Sequence, residues 1–128
     1  MKKILAVVLC CTLAFGLYNC GGGPSDKYVK TAELLNKGLP MTISKEYRLD
    51  KVEAASKSEF KYYYTLLVEP EVSVDDFLKA NRETIVNTLK GQSEMKDFKD
   101  DNMTIIYVYN KQDGSKFAEL KVTADEYK

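Results

Sequence analysis

The sequence contains neither histidine nor tryptophan among its 128 residues. Without histidine there is no imidazole base for a Ser-His-Asp or Cys-His nucleophile, and no imidazole metal ligand. The three cysteines, Cys10, Cys11 and Cys20, all lie near the N-terminus. A domain that follows them therefore has no disulfide, no catalytic thiolate and no cysteine-type zinc site. We expect no cofactor and no metal, and we interpret the protein as non-enzymatic.

An excess of charge is also absent, because 19 Lys and Arg residues face 19 Asp and Glu residues. A nucleic-acid-binding domain normally carries a basic surplus on one face, so this balance argues against nucleic acid as a partner. The glycine run Gly21-Gly22-Gly23 follows no predicted strand, which excludes a phosphate-binding loop of the usual strand–loop–helix type.

The apolar run at residues 4–17 is too short for a transmembrane helix, which needs about 20 residues. It follows Lys2 and Lys3, and a short basic segment before a short apolar one is the layout of a secretory signal peptide. We therefore expect the protein to be exported.

The end of this run, Leu17-Tyr18-Asn19-Cys20, resembles a relaxed form of the lipobox of bacterial lipoproteins. The resemblance implies that residues 1–19 are a lipoprotein signal peptide, that Cys20 receives diacylglycerol, and that residues 20–25 form a flexible tether. The protein would then be anchored to a bacterial membrane, at the periplasmic face of the outer membrane in a Gram-negative cell. In the alternative, Ala14-Phe15-Gly16 is an ordinary cleavage site and Cys20 stays a free thiol.

Hydrophobic periodicity in residues 26–128 predicts a single α+β domain. The predicted order is helix, hairpin, helix, hairpin, which gives a four-stranded antiparallel sheet with two helices on one face. The predicted helices span residues 25–37 and 74–90, and the predicted strands span residues 43–55, 60–68, 103–109 and 117–123.

The second hairpin has the strongest local signal, an Asp113-Gly114 turn between two alternating segments. A two-residue turn there pairs Tyr109 with Ala118, Tyr107 with Leu120 and Ile105 with Val122, and it places all six side chains on one face.

The opposite face of the sheet is the best candidate for a binding surface. If Tyr62 and Tyr64 face the helices, alternation turns Tyr63 away from them. Apolar side chains exposed together usually mark an interaction surface; the alternative is that strand ends or the 93–101 segment cover them. The predicted patch consists of Tyr63, Leu67, Ile106, Val108 and Phe117.

Two stretches are similar to a family of small bacterial exported or lipoprotein domains. Asn36-Lys37-Gly38-Leu39-Pro40-Met41 with Arg48-Leu49-Asp50-Lys51-Val52 matches its "NKxxPM…RLDxV" signature, and Tyr62-Tyr63-Tyr64-Thr65-Leu66 matches its "YxYTL" strand. The resemblance implies one compact exported domain and supplies no catalytic residues. Arg48 and Asp50 are its most distinctive polar positions. A structural pairing of Arg48 with Asp50 or a helix carboxylate is favoured over a role in ligand binding.

Carboxylates are the remaining candidates for chemistry. Glu69, Glu71, Asp75 and Asp76 offer the acid pairs that a glycosidase needs, but a solvated loop followed by acids at the start of a helix explains them far better. Oxygen ligands for calcium are offered by the acidic stretch 97–102, which lacks the spacing and the glycine of an EF-hand loop. We favour a solvated turn there.

The leading hypothesis is a membrane-anchored lipoprotein that binds a protein partner in the cell envelope, either as an assembly factor or as an inhibitor or immunity protein. The alternatives are a carboxylate-dependent enzyme and a carrier of a lipid or another small ligand. Partner binding predicts an exposed apolar patch with no pocket. An enzyme predicts a cleft with convergent acids and shifted pKa values, and a carrier predicts a cavity between the helices and the sheet.

Overall fold

A computed structural model describes residues 24–128. The predicted signal peptide, the acylation of Cys20 and most of the predicted tether lie outside these residues. Within them, a 3₁₀ turn (Ser93–Met95) accompanies helices α1 (Asp26–Asn36), α2 (Val74–Gly91), α3 (Lys96–Asp100) and α4 (Ala124–Tyr127), and strands β1 (Met41–Thr42), β2 (Tyr47–Ser56), β3 (Glu59–Leu66), β4 (Thr104–Asn110) and β5 (Lys116–Val122).

The strands form one sheet in the order β1-β2-β3-β4-β5. The α+β class and the two predicted hairpins, β2–β3 and β4–β5, are confirmed. Two details differ from the expectation: a fifth strand, β1, pairs with β2, and β3 pairs with β4 in parallel rather than antiparallel fashion. The parallel pairing follows from the connection, because β3 and β4 are joined through α2, and a crossover with a helix returns the chain in the same direction.

The two long helices begin and end close to the predicted positions. Ser73 caps α2, since its side chain accepts a hydrogen bond of 3.2 Å from the backbone N–H of Asp76. Asp75 and Asp76 occupy the first turn, where the helix dipole favours negative charge. Ser25 precedes α1 as predicted, but its side chain makes no capping hydrogen bond.

Both long helices pack on the same face of the sheet. The ring of Tyr28 in α1 lies 6.2 Å from that of Phe60 in β3, and the ring of Phe77 in α2 lies 4.9 Å from that of Tyr109 in β4. The 3₁₀ turn and α3 close one end of this core with Met95 and Phe98, both buried. This arrangement leaves a strip of sheet between α1 and α2.

The register of the second hairpin is as predicted, but it arises in a different way. Tyr109 pairs with Ala118, while Asn110 pairs with Lys116, so Phe117 is an extra, unpaired residue on β5. The turn is also one residue longer than expected, because the N–H of Lys111 donates to the carbonyl of Ser115. The bulge at Phe117 offsets the longer turn and restores the expected pairing.

Candidate partner-binding cleft

The sheet face away from the helices is not the exposed apolar patch that alternation predicts. Ile106 and Val108 are only 2% and 6% exposed. They lie on the central strand β4, where the neighbours of Ile106 are Lys61 and Lys121 and one neighbour of Val108 is Tyr63. Long side chains on both sides cover a central strand with their aliphatic or aromatic parts. The expectation that Ile106 and Val108 are exposed is therefore wrong.

Tyr63 does turn away from the helices, as predicted. Its hydroxyl donates to Glu53 at 3.3 Å, and the Nζ atom of Lys51 lies 4.6 Å from the centre of its ring. Lys51 is the partner of Tyr63 across β2 and β3, and Glu53 lies two residues further along β2, opposite Lys61. A half-buried tyrosine between two charges makes this part of the sheet a polar surface.

Phe117 lies on the opposite face from the one predicted. Its ring lies 5.3 Å from that of Phe77 in α2, in edge-to-face contact. The bulge explains the difference, because an extra residue on one strand turns the side chains next to it. Phe117 therefore packs against the core. Like Ile106 and Val108, it does not belong to an exposed patch.

Leu67 and Arg48 keep separate positions at the end of the first hairpin. Leu67 is half-buried just past β3, and its N–H donates to the carbonyl of Glu46 at 2.7 Å. The Nε atom of Arg48 lies 2.6 Å from Asp50, whose other carboxylate oxygen accepts from Thr65. Asp50 is an extra residue in β2, so the predicted Arg48–Asp50 pair is confirmed as a contact that holds a bulge.

The acidic 97–102 stretch is held by basic and phenolic partners. Asp101 accepts from Lys27 at 3.0 Å and from the hydroxyl of Tyr28 at 2.5 Å, and the hydrogen bond from Tyr28 is the main cause that lowers the pKa of this carboxyl. Lys96 pairs with Asp100. No group of three or more potential ligands that could hold a metal ion occurs in residues 24–128.

A cleft on the helix side of the sheet is the site that the sequence did not reveal. It lies between α2 and the central strands, has a volume of about 300 Å³, and is lined from the sheet by four tyrosines. We call it the tyrosine cleft; its sheet wall is Tyr47, Tyr62, Tyr64 and Tyr107, and its helix wall includes Thr84, Ile85, Thr88 and Leu89.

The tyrosine rings stand as a row across β3 and β4. Tyr62 stacks on Tyr107 with 5.3 Å between ring centres, and Tyr64 stacks on Tyr109 at 5.4 Å. Tyr47 on β2 meets Tyr64 edge-to-face at 5.7 Å. Rings stacked on one another cannot also offer their faces to a ligand, so the cleft presents ring edges and hydroxyl groups.

The hydroxyls in the tyrosine cleft are available as hydrogen-bond donors. Within residues 24–128, tyrosine hydroxyl bonds are formed by Tyr28, Tyr63 and Tyr127, none of which lines the cleft. Burial raises the pKa of Tyr62 to about 12 and raises the pKa of Tyr107 further above its usual range. Both groups therefore stay protonated at neutral pH and donate to an acceptor.

The tyrosine cleft continues at both ends. A smaller cavity of about 230 Å³ shares Tyr62 with it and is also lined by Leu35 and Met41, which are 45% and 51% exposed. At the other end, a cavity of about 530 Å³ shares Tyr47 and is bordered by the 67–73 loop. The three cavities together cross the strip of sheet between α1 and α2.

Glu69 and Glu71 border the larger end cavity. The side chain of Glu69 is 77% exposed and lies 3.4 Å from Lys111. A carboxylate in such a solvated position lacks the apolar surroundings that raise the pKa of a carboxyl group and allow it to act as a general acid. The structure thus places these glutamates at the rim of a groove, not in a closed catalytic pocket.

A weak sequence signal for the cleft existed in the alternation of tyrosines. Tyr62 and Tyr64 recur at a spacing of two, as do Tyr107 and Tyr109, which places all four on one face of neighbouring strands. The sequence does not show how far apart the two helices lie over that face, and that gap creates the cleft.

An α+β domain with an open, tyrosine-lined cleft on the helix side of its sheet is the class of protein that the geometry defines. The chain belongs to the family described as a domain of unknown function (DUF8479), whose model matches residues 24–118. A search of the curated proteins gives no match. Among the helices of residues 24–128, none is both long and apolar enough to cross a membrane.

Solved structures share this fold at low sequence identity. The pilotin EpsS of the Vibrio vulnificus type 2 secretion system superposes with a TM-score of 0.60 and 12% identity, covering 78% of this chain and 87% of that one. AspS, a type II secretion system pilotin from Vibrio cholerae, gives a TM-score of 0.55 and 13% identity over 77% and 86%. A Pseudomonas aeruginosa protein described as a candidate secreted protein gives 0.59 and 10% over 77% and 88%.

Proposed function

We propose that the protein is an exported, non-enzymatic lipoprotein of the bacterial envelope that serves a secretion system by binding a segment of a protein partner in the tyrosine cleft. Acylated Cys20 would hold it at the membrane, and the 20–25 tether would separate the domain from the lipid surface by roughly 12 Å. The two acyl chains on this residue are sufficient to anchor the protein stably in a membrane.

The tyrosine cleft is the observation that carries this proposal. Its hydroxyl groups have no hydrogen-bond partner within the described residues, although they lie on the packed face of the sheet. Polar groups that converge in a largely preformed, partly apolar cleft are the usual mark of a binding site. Two further cavities share Tyr47 and Tyr62 with the tyrosine cleft, and a series of neighbouring cavities fits a peptide segment better than a compact molecule.

Likeness to two pilotins supports an envelope role of the assembly-factor type. Both neighbours are named for type 2 secretion systems, and both cover most of this chain. At 12% and 13% identity the likeness concerns the backbone, so the partner of this chain is inferred from its own cleft and not from theirs.

The proposal is tested by blocking the cleft from its helix wall. Thr88 is exposed and lines the tyrosine cleft, whereas the preceding residue, Asn87, is exposed but does not line it. Cells that express full-length wild type, Thr88→Arg, Asn87→Arg or Cys20→Ala, each tagged after Lys128, are separated into membrane and soluble fractions. The tagged protein is purified from the fraction that contains it, and the co-purifying proteins are quantified. We expect Thr88→Arg to reduce recovery of a stoichiometric partner about tenfold or more and Asn87→Arg to leave it unchanged.

The Cys20→Ala variant tests the anchor in the same experiment. Wild type is expected in the membrane fraction and Cys20→Ala in the soluble fraction. A soluble wild type contradicts the lipid anchor, and equal partner recovery with Thr88→Arg contradicts the cleft as the binding site. A membrane-bound wild type that recovers no partner contradicts the binding function.

A small-ligand carrier is the second candidate, because the cavity between helix and sheet that it requires is present. Mass spectrometry of the purified wild type under native conditions distinguishes it. A bound lipid or metabolite that Thr88→Arg excludes would favour the carrier over the partner-binding protein.

A further inference from the structure

The end of the cleft beside the 67–73 loop differs in chemistry from the tyrosine-lined middle. We call it the acidic groove; it is the cavity of about 530 Å³ whose apolar lining includes Leu66, Val68, Val72 and Phe77 and whose acidic lining is Glu46, Glu69 and Glu71.

Exposed apolar side chains line the acidic groove. Val68 and Val72 are 53% and 51% exposed, and both border the cavity. Single exposed apolar residues are ordinary, but adjoining ones that border a cavity mark an interaction site. The apolar residues that line the acidic groove, which we call its floor, therefore favour the binding of an apolar side chain of the ligand.

The side chains that line the acidic groove carry negative charge only, although Lys111 lies beside one of them. The 67–76 segment contains Glu69, Glu71, Asp75 and Asp76 and no basic residue. The dipole of α2 accounts for the two aspartates in its first turn, and Lys111 is the ion-pair partner of Glu69. Across the described residues, Glu46 and Glu71 take part in no ion pair, so their charge is available to a ligand.

The walls of the acidic groove are held in place. The N–H of Leu67 donates to the carbonyl of Glu46 at 2.7 Å, and the side-chain amide of Gln112 donates to the carbonyl of Leu67 at 2.9 Å. Ser73 fixes the other end of the loop through the cap of α2. Because the loop is tied to β2, the second hairpin and α2, little ordering is required on binding.

From these observations we infer that the acidic groove binds a basic apolar peptide segment, in which one bulky aliphatic or aromatic residue fills the valine-lined floor and flanking Lys or Arg residues pair with Glu46 and Glu71. The inference rests on the proposed function and adds the chemistry of the partner to it. An acidic peptide and an anionic lipid surface are both repelled by this rim.

Peptide selection tests the inference without knowledge of the partner. Random peptides displayed on phage are selected against the full chain, against the double variant Glu46→Lys/Glu71→Lys, and against Glu94→Lys, which reverses an exposed acid away from the cavities. We expect wild type and Glu94→Lys to enrich peptides that combine an apolar residue with Lys or Arg. The double variant should select acidic peptides instead.

Synthetic copies of the enriched peptides then give affinities by fluorescence anisotropy. Affinity should fall about tenfold in the double variant, fall similarly in Val72→Asp, and weaken as salt is raised. Neutral or acidic consensus peptides, an affinity that the double variant leaves unchanged, or the failure of any peptide to enrich would each overturn the inference.

The outcome separates this inference from the proposed function. If the membrane partner is lost with Thr88→Arg but is retained by Glu46→Lys/Glu71→Lys at all salt concentrations, the tyrosine cleft binds the partner and the inference about the acidic groove is wrong. If basic peptides bind the groove while no membrane partner exists, the inference holds and the proposed function is wrong.

Discussion

Tyr127 shows how a single side chain at the end of the chain holds the core. It is fully buried, and its hydroxyl lies 2.5 Å from the carbonyl oxygen of Met103 and 3.2 Å from that of Phe98. Phe98 lies within α3, and Met103 lies between α3 and the start of β4. The last residues of the domain thus satisfy backbone groups at the start of a central strand, in a place that water does not reach.

Replacing Tyr127 with Phe is expected to lower the free energy of unfolding by about 1–3 kcal/mol, because it leaves a buried carbonyl without its donor. Urea denaturation followed by circular dichroism measures this change. Tyr63→Phe serves as the matched control, since that hydroxyl is half-exposed and water replaces its bond to Glu53. Equal losses in the two variants would contradict the role given to Tyr127.

At the scale of elements, Asn36 joins α1 to the edge of the sheet. Its side-chain amide donates to the carbonyl of Val52 at 2.9 Å, and its side-chain oxygen accepts from the N–H of Val52 at 2.8 Å. This pair of hydrogen bonds imitates the backbone pairing of a neighbouring strand. Strand β1 pairs with only two residues of β2, so Asn36 protects backbone groups that would otherwise be open to another chain.

Asn36→Asp keeps the shape of the side chain and removes the donor, so it tests this contact directly. At neutral pH a carboxylate faces the carbonyl of Val52, and we expect a loss of about 1–3 kcal/mol in the free energy of unfolding. Below the pKa of the introduced carboxyl, about 4, protonation restores a donor and the deficit should shrink. Denaturation at pH 7 and pH 3 measures both, with Asn87→Asp on the exposed face of α2 as control. A deficit that does not depend on pH would contradict the proposed geometry.

For the whole molecule, the parallel pairing of β3 and β4 brings the tyrosine row together. Tyr62 lies beside Tyr107, and Tyr64 beside Tyr109, because these residues are partners across the two central strands. Burial raises the pKa of all four hydroxyls. Their protonation is therefore linked to the folding of the entire domain.

Alkaline pH is expected to destabilise the fold for this reason. Unfolded tyrosines ionise near pH 10, while the folded chain keeps its buried hydroxyls protonated, so the unfolded state releases protons first and stability falls as pH rises above about 10. The slope is about 1.4 kcal/mol per pH unit for each such tyrosine. Urea midpoints from pH 8 to pH 11.5 measure the fall, and Tyr62→Phe should make it shallower. A midpoint that stays constant over this range would contradict the raised pKa values.

Local patterns in the sequence were enough to predict the two long helices and the two hairpins, but not β1. The bounds of α1 and α2 follow from apolar periodicity and from the Ser73 cap, and the pairing of Tyr109 with Ala118 follows from the need to bury one face, although the turn itself is longer than predicted. The Arg48–Asp50 contact was also within reach, because its partners are two residues apart. Such features depend on neighbours in the chain, whose distance the sequence fixes.

The tertiary structure alone decided how these elements face one another. Parallel pairing of β3 with β4 made β4 a central strand, and this buried Ile106 and Val108 under side chains from both neighbours. The bulge at Phe117 turned that ring toward α2. The tyrosine cleft and the acidic groove depend on the gap between α1 and α2 over the sheet, a distance set by the packing of residues far apart in the chain. By itself the sequence determined an α+β domain and predicted an export signal before it; the binding surface required the packed molecule, because burial belongs to contacts that no local pattern records.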